Sequence, residues 1–148
     1  MKDATRFYID GAWTTPTRDI RQDIVDPSTG QPVGQIALGG AEDVDKAVAA
    51  AKRAFASFSR TTVSERLALL EAINAQLIAR NEDIAQAISC AMGAPLSLAR
   101  HAQAPSGTQH FSEVIRVLRD YPFEQPMGTT MVRREPVGVC ALITPWNW

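Results

Sequence analysis

The segment that most constrains the fold is Val137-Gly138-Val139-Cys140-Ala141-Leu142-Ile143, seven residues without a polar side chain, followed by Thr144-Pro145-Trp146-Asn147-Trp148. A short apolar run rich in β-branched Val and Ile reads as a strand covered on both faces, as in parallel sheets. Pro145 ends it, because proline fixes φ and has no N–H for a ladder. Ligands of open α/β sheets gather beyond the carboxyl ends of such strands. Asn147 stands there with a donor amide that could polarise a substrate carbonyl. The same residue also suits a plain turn, since Asn readily bonds its own backbone. Trp146 fits a pocket wall or ordinary core.

The rest of the sequence alternates turn signals with helical stripes. Asp10-Gly11 lies between Phe7-Tyr8-Ile9 and Ala12-Trp13, a two-residue hairpin turn. Asp26-Pro27-Ser28-Thr29-Gly30 is a second turn, leading into an extended stretch over Val33–Ile36. From Ala41 to Phe58, the residues Val44, Ala47, Val48, Ala51, Phe55 and Phe58 share one helical face. Thr62-Val63-Ser64-Glu65 is a capping box opening a helix striped by Val63, Leu67, Leu70, Ile73 and Leu77. Asn81 is the expected N-cap of a third helix, with Ile84, Ala87, Ile88 and Ala91 inward and Gly93 and Pro95 stopping it. A short segment over Leu96–Gln103 is expected to break near Pro105 to Gly107. A further helix then carries Phe111, Val114, Ile115 and Leu118. Thr129–Arg134 alternates like a strand. The order poses a problem: a parallel partner for 137–143 needs a crossover connection, and none follows in these 148 residues.

Composition narrows the function classes. Fifteen basic and 16 acidic residues give a net charge of −1, and without a basic stripe a nucleic-acid partner has little support. The charged start, Met1 to Arg6, leads into no apolar segment of the secretory type. The longest apolar run is also far too short for a membrane span. The expectation is a cytoplasmic protein with no membrane or nucleic-acid partner. Cys90 and Cys140 have no metal-ligand spacing and are expected to be small buried hydrophobes. His101 and His110 read as surface histidines, Arg133-Arg134 as a charged strand edge, and Glu82-Asp83 as helix-start electrostatics.

The block from Arg134 through Glu135-Pro136-Val137-Gly138-Val139-Cys140 to Pro145-Trp146-Asn147-Trp148 resembles the signature opening the dinucleotide fold of the NAD(P)-dependent aldehyde dehydrogenase superfamily. Tyr8 to Trp13, Asp26 to Gly30, Ala41 to Val48, Arg66-Leu67 and Met92-Gly93-Ala94-Pro95 are similar to the elements preceding it. The resemblance implies an α/β fold: the N-terminal part of a Rossmann-like dinucleotide-binding domain, with preceding helices and hairpin, plus a β-arm for oligomerisation. Residues 1–120 would be the hairpin and helical part, 121–136 the arm, and 137–148 the first strand of the sheet.

By the same resemblance, Ile143, Thr144, Pro145 and Trp146 line the NAD or NADP site, and Asn147 is the oxyanion-hole amide. It implies oxidation of an aldehyde to a carboxylic acid through a Cys thiohemiacetal. The partners implied are an aldehyde, the remainder of the same polypeptide and a homodimeric or homotetrameric assembly. The family's nucleophilic Cys and general-base Glu have no counterpart in residues 1–148, so these residues alone are expected to be inactive. The alternative is an autonomous, non-catalytic interaction or oligomerisation module built on the helices and arm.

Overall fold

A computed structural model describes residues 4–144. Asp10 and Gly11 take φ of 55° and 78°, the left-handed pair that matches hairpin twist. Strand β1 (Phe7–Ile9) therefore folds back on β2 (Ala12–Thr14), with Tyr8 opposite Trp13. In the second turn the Asp26 carboxylate accepts from the Ser28 amide at 2.8 Å and its hydroxyl at 2.6 Å. Gly30, at φ 69°, releases the chain. That turn joins β3 (Arg21–Val25) antiparallel to β4 (Pro32–Ala37). Strand β3 has no apolar alternation, which hid it from sequence inspection; only Ile24 in it is half-buried.

Five α-helical segments and a π-turn follow. Helix α1 (Ala41–Phe58) has the expected bounds, but its stripe is only partly covered. Val48, Ala51 and Phe55 are half-buried, whereas Val44 and Phe58 are exposed. Helix α2 (Val63–Ala79) opens with the expected box: Thr62 Oγ1 accepts from the Glu65 amide, and Glu65 accepts from the Thr62 amide at 2.7 Å. Helix α3 (Asn81–Met92) departs from expectation at its start. Arg80 alone separates the two helices and is both the C-cap of α2 and the N-cap of α3, so the cap falls one residue before Asn81. Asn81 is the first helical residue, and its amide donates to the Arg100 carbonyl at 3.4 Å. The inward face also shifts: Ala85 is buried beside Ile84 and Ile88, while Ala87 and Ala91 face solvent. Gly93 ends α3 at φ 70°, as expected.

The expected break near Pro105 does not occur. Helix α4 (Leu96–Leu98), a π-turn (Ala99–Gln103) and α5 (Ala104–Arg119) run on without interruption. Pro105 falls in the first turn after the π-register returns to α, where an absent N–H costs little. Ala85, Ala99 and Ala104 form the buried cluster, with Ile84, Ile88 and Leu96 against it. Alanines there bring the α3 and π-turn backbones together, and α2 lies along α5.

After α5, β5 (Glu124–Met127) pairs antiparallel with β6 (Thr130–Arg133) through Gly128 at φ 61°. The expected strand at 137–143 is not formed among the described residues. Residues 134–144 have no strand pairing, and Val137, Leu142 and Ile143 are 90%, 87% and 94% exposed. Cys140 is exposed rather than buried, and Cys90 is half-buried. A sheet-core strand needs a hydrogen-bonded neighbour on each side. All three observed sheets are two-stranded antiparallel hairpins, and none of them supplies one.

Candidate functional site

The sequence places the candidate site where the 137–143 run ends. Ile143 and Thr144 lie there, exposed and outside any strand. Pro145, Trp146 and Asn147 lie outside the described residues. The structure describes the chain that leads up to these residues. Arg134 anchors that approach: its amide donates to the Phe123 carbonyl at 2.8 Å and its guanidinium to the Pro122 carbonyl at 3.2 Å. The guanidinium also lies 5.6 Å over the Tyr121 ring. Beside it, Arg133 meets Glu124 at 3.1 Å and Glu135 at 3.5 Å. The run thus leaves the β5–β6 hairpin from a fixed root.

That root forms one wall of a cleft of about 930 Å³ whose other walls are the end of α1 and the start of α2. Phe55, Phe58, Arg66, Phe123 and Arg134 line it. Arg66 donates to the Thr61 carbonyl at 2.7 Å and lies 5.3 Å over Phe123. The cleft has the size of a small-molecule pocket, and its charged lining is tied up in structural pairs: Arg133 holds Glu124 and Glu135, while neither cysteine lines it. It is not a reaction centre by itself. Sequence inspection did not foresee it, because Arg66 and Arg134 are 68 positions apart and no local pattern links them.

Neither cysteine is set up for attack. Cys140 Sγ lies 3.9 Å from the Gly138 carbonyl, and Cys90 sits half-buried in α3. His101 Nδ1 lies 2.9 Å from the Ser97 carbonyl, and both histidines are exposed, as expected. Among the described residues no three His, Cys, Asp or Glu side chains gather into a metal-binding group.

The buried charged side chain among the described residues is Asp43, 5% exposed. One carboxylate oxygen accepts from the Thr17 amide at 2.9 Å and hydroxyl at 2.7 Å; the other accepts from the Gly40 amide at 3.1 Å. The Thr17 hydroxyl first, then the Gly40 and Thr17 amides, hold this carboxyl below the usual range. Lys46 donates to the Thr17 hydroxyl at 2.9 Å. With these bonds made, Asp43 clamps the segment before β3 to the start of α1. Its position in a first helical turn was readable; its partner 26 residues earlier was not.

Comparison with known proteins identifies the fold around this approach. The aldehyde dehydrogenase family model matches residues 13–148, and the chain belongs to that family. It is 50% identical over 149 residues to the 3-succinoylsemialdehyde-pyridine dehydrogenase of a Pseudomonas species, covering 100% of this chain and 31% of that protein. A putative aldehyde dehydrogenase of Staphylococcus aureus strain MSSA476 is 40% identical, again over 100% of this chain and 31% of its own length. The structure resembles that of an aldehyde dehydrogenase C mutant from Pseudomonas syringae, solved with NAD+ and octanal. There the TM-score is 0.95 and the identity 46%, over 98% of this chain and 30% of that one. An aldehyde dehydrogenase from Bartonella henselae matches at TM-score 0.84 and 34% identity, over 88% of this chain and 28% of the other. The 148 residues span about 31% of the curated relatives they match. The α/β fold is that of the N-terminal part of these enzymes.

Proposed function

We propose that these 148 residues are the N-terminal portion of an NAD(P)-dependent dehydrogenase that oxidises an aldehyde to a carboxylic acid through a Cys thiohemiacetal. The observation that carries this reading is the family match, which runs through Pro145-Trp146-Asn147. The nucleophilic Cys and general-base Glu belong to the part of the relatives that residues 1–148 do not span. Cys90 lies half-buried in α3 and Cys140 is exposed on the unpaired 134–144 segment, and neither takes the nucleophile's part in this reading.

Within this chain the reaction assigns work to Asn147. Its side-chain amide donates a hydrogen bond to the oxygen that becomes negative as the thiol adds to the aldehyde carbon. A fixed donor gains most where charge develops. Ile143, Thr144, Pro145 and Trp146 form a wall for the cofactor, NAD or NADP. The bare apolar side chain of Ile143 and the exposed Thr144 hydroxyl beside it suit a surface that covers a ring and a ribose. When bound, the cofactor supplies the acceptor for the hydride that leaves the substrate carbon. Support for this cofactor comes from the similar structure solved with NAD+ and from a Mycobacterium tuberculosis aldehyde dehydrogenase, also complexed with NAD+, at TM-score 0.81 and 25% identity.

The β5–β6 hairpin serves as an association arm in a homodimer or homotetramer. Its support is exposure: Met127 and Met131 face solvent, and the two strands pair only with each other among the described residues. The enzyme works in the cytoplasm. No helix among the described residues is long and apolar enough to cross a membrane.

The test is the intact mass of the protein in its native source, followed by an aldehyde oxidation assay on the species found. A polypeptide roughly three times longer that forms NADH or NADPH from an aldehyde is the expected result. A single stable species of 16.1 kDa that binds no nucleotide would replace this proposal with the interaction-module reading.

A further inference from the structure

We draw no further inference here: the strongest candidate, the cleft between the end of α1, the start of α2 and the root of the β5–β6 hairpin, where Arg66 and Arg134 lie over Phe123 and Tyr121, carries nothing because nothing in the structure shows what covers it.

Discussion

Gly93 and Gly30 share nearly the same left-handed backbone, φ 70° and 69°, but not the same surroundings. A Cβ on Gly93 would sit 2.9 Å from Pro27 Cγ, whereas one on Gly30 would meet nothing within 4 Å. Gly93→Ala therefore combines the left-handed penalty, about 1–2 kcal/mol, with a clash between the α3 terminus and the Asp26–Gly30 turn. Gly30→Ala carries the backbone penalty alone. In melts of the full-length protein, Gly93→Ala should lower Tm further than Gly30→Ala does. Equal losses would mean that the turn yields to the new methyl group. A second prediction concerns Asn147. In the full-length enzyme, Asn147→Ala should cut turnover by about 10²–10³-fold, about 3–4 kcal/mol of transition-state stabilisation, with little change in cofactor Kd. Turnover near the parent value with a weakened cofactor Kd would make Asn147 a binding residue; no change in either would make it a turn residue.

Between elements, charged side chains act as clamps with a defined pH window. Arg100, on the π-turn, grips Glu82 at the start of α3 with two bonds of 2.6 and 2.7 Å, and Gln86 adds a third at 2.9 Å. The Arg100 guanidinium first, then the Gln86 amide, holds Glu82 down at about 2, below its ordinary 4.5. A carboxyl with a depressed folded pKa stabilises the fold fully above its unfolded value, and that contribution disappears as pH falls through the folded value. The Glu82–Arg100 contribution is thus complete above about pH 4.5 and lost towards pH 2. Glu82→Gln should flatten the acid limb of stability in that window, as read by denaturant midpoints across pH. An unaltered limb would show that solvent screens the exposed pair completely. At the start of α2, Thr62→Ala breaks the reciprocal cap with Glu65 and should cost about 1 kcal/mol of stability, visible as a lower denaturant midpoint at constant slope.

What was readable in the sequence was what is local. The Asp10-Gly11 turn, the bounds of α1, the Thr62 box and the Gly93 stop each depend on residues within a turn or two of one another, and each appears where expected; the α1 stripe, which depends on what packs against it, is covered only at Val48, Ala51 and Phe55. The misses depend on neighbours elsewhere in sequence or space. Asn81 lost its capping place because the single residue between α2 and α3, Arg80, caps both. Pro105 was absorbed because a π-turn precedes it. Thr17 found Asp43 across 26 positions. The candidate site was readable as a motif, from Ile143 to Asn147, because a proline-ended apolar run is itself a local pattern. The burial of that run was not a local matter and did not follow.

At the scale of the molecule, no large side chain among the described residues is fully buried. The described core is the alanine cluster around Ala85, Ala99 and Ala104, so much of the apolar surface of α1, α5 and residues 137–143 faces solvent. A homogeneous 148-residue polypeptide should form no NADH from aldehydes. It should also self-associate, because the 137–143 backbone offers open edges to other chains. Light scattering and a dehydrogenase assay read both outcomes. A monodisperse monomer with a cooperative melt would contradict the second, and NADH formation would contradict the first and make Cys90 or Cys140 a nucleophile.

The bare 137–143 run also bears on how such a chain is made. The hairpins and the α3–π-turn cluster draw on contacts close in sequence and can close while synthesis continues. On the proposed reading, the run would wait for a parallel neighbour from the remainder of the polypeptide. At about 5–20 residues per second, even a crossover of about a dozen residues would keep the ribosome busy for about 0.6–2.4 seconds. Through that interval the nascent chain would display an unpaired apolar segment beside helices already closed, and a chaperone shielding it would bind there rather than at the hairpins or helices.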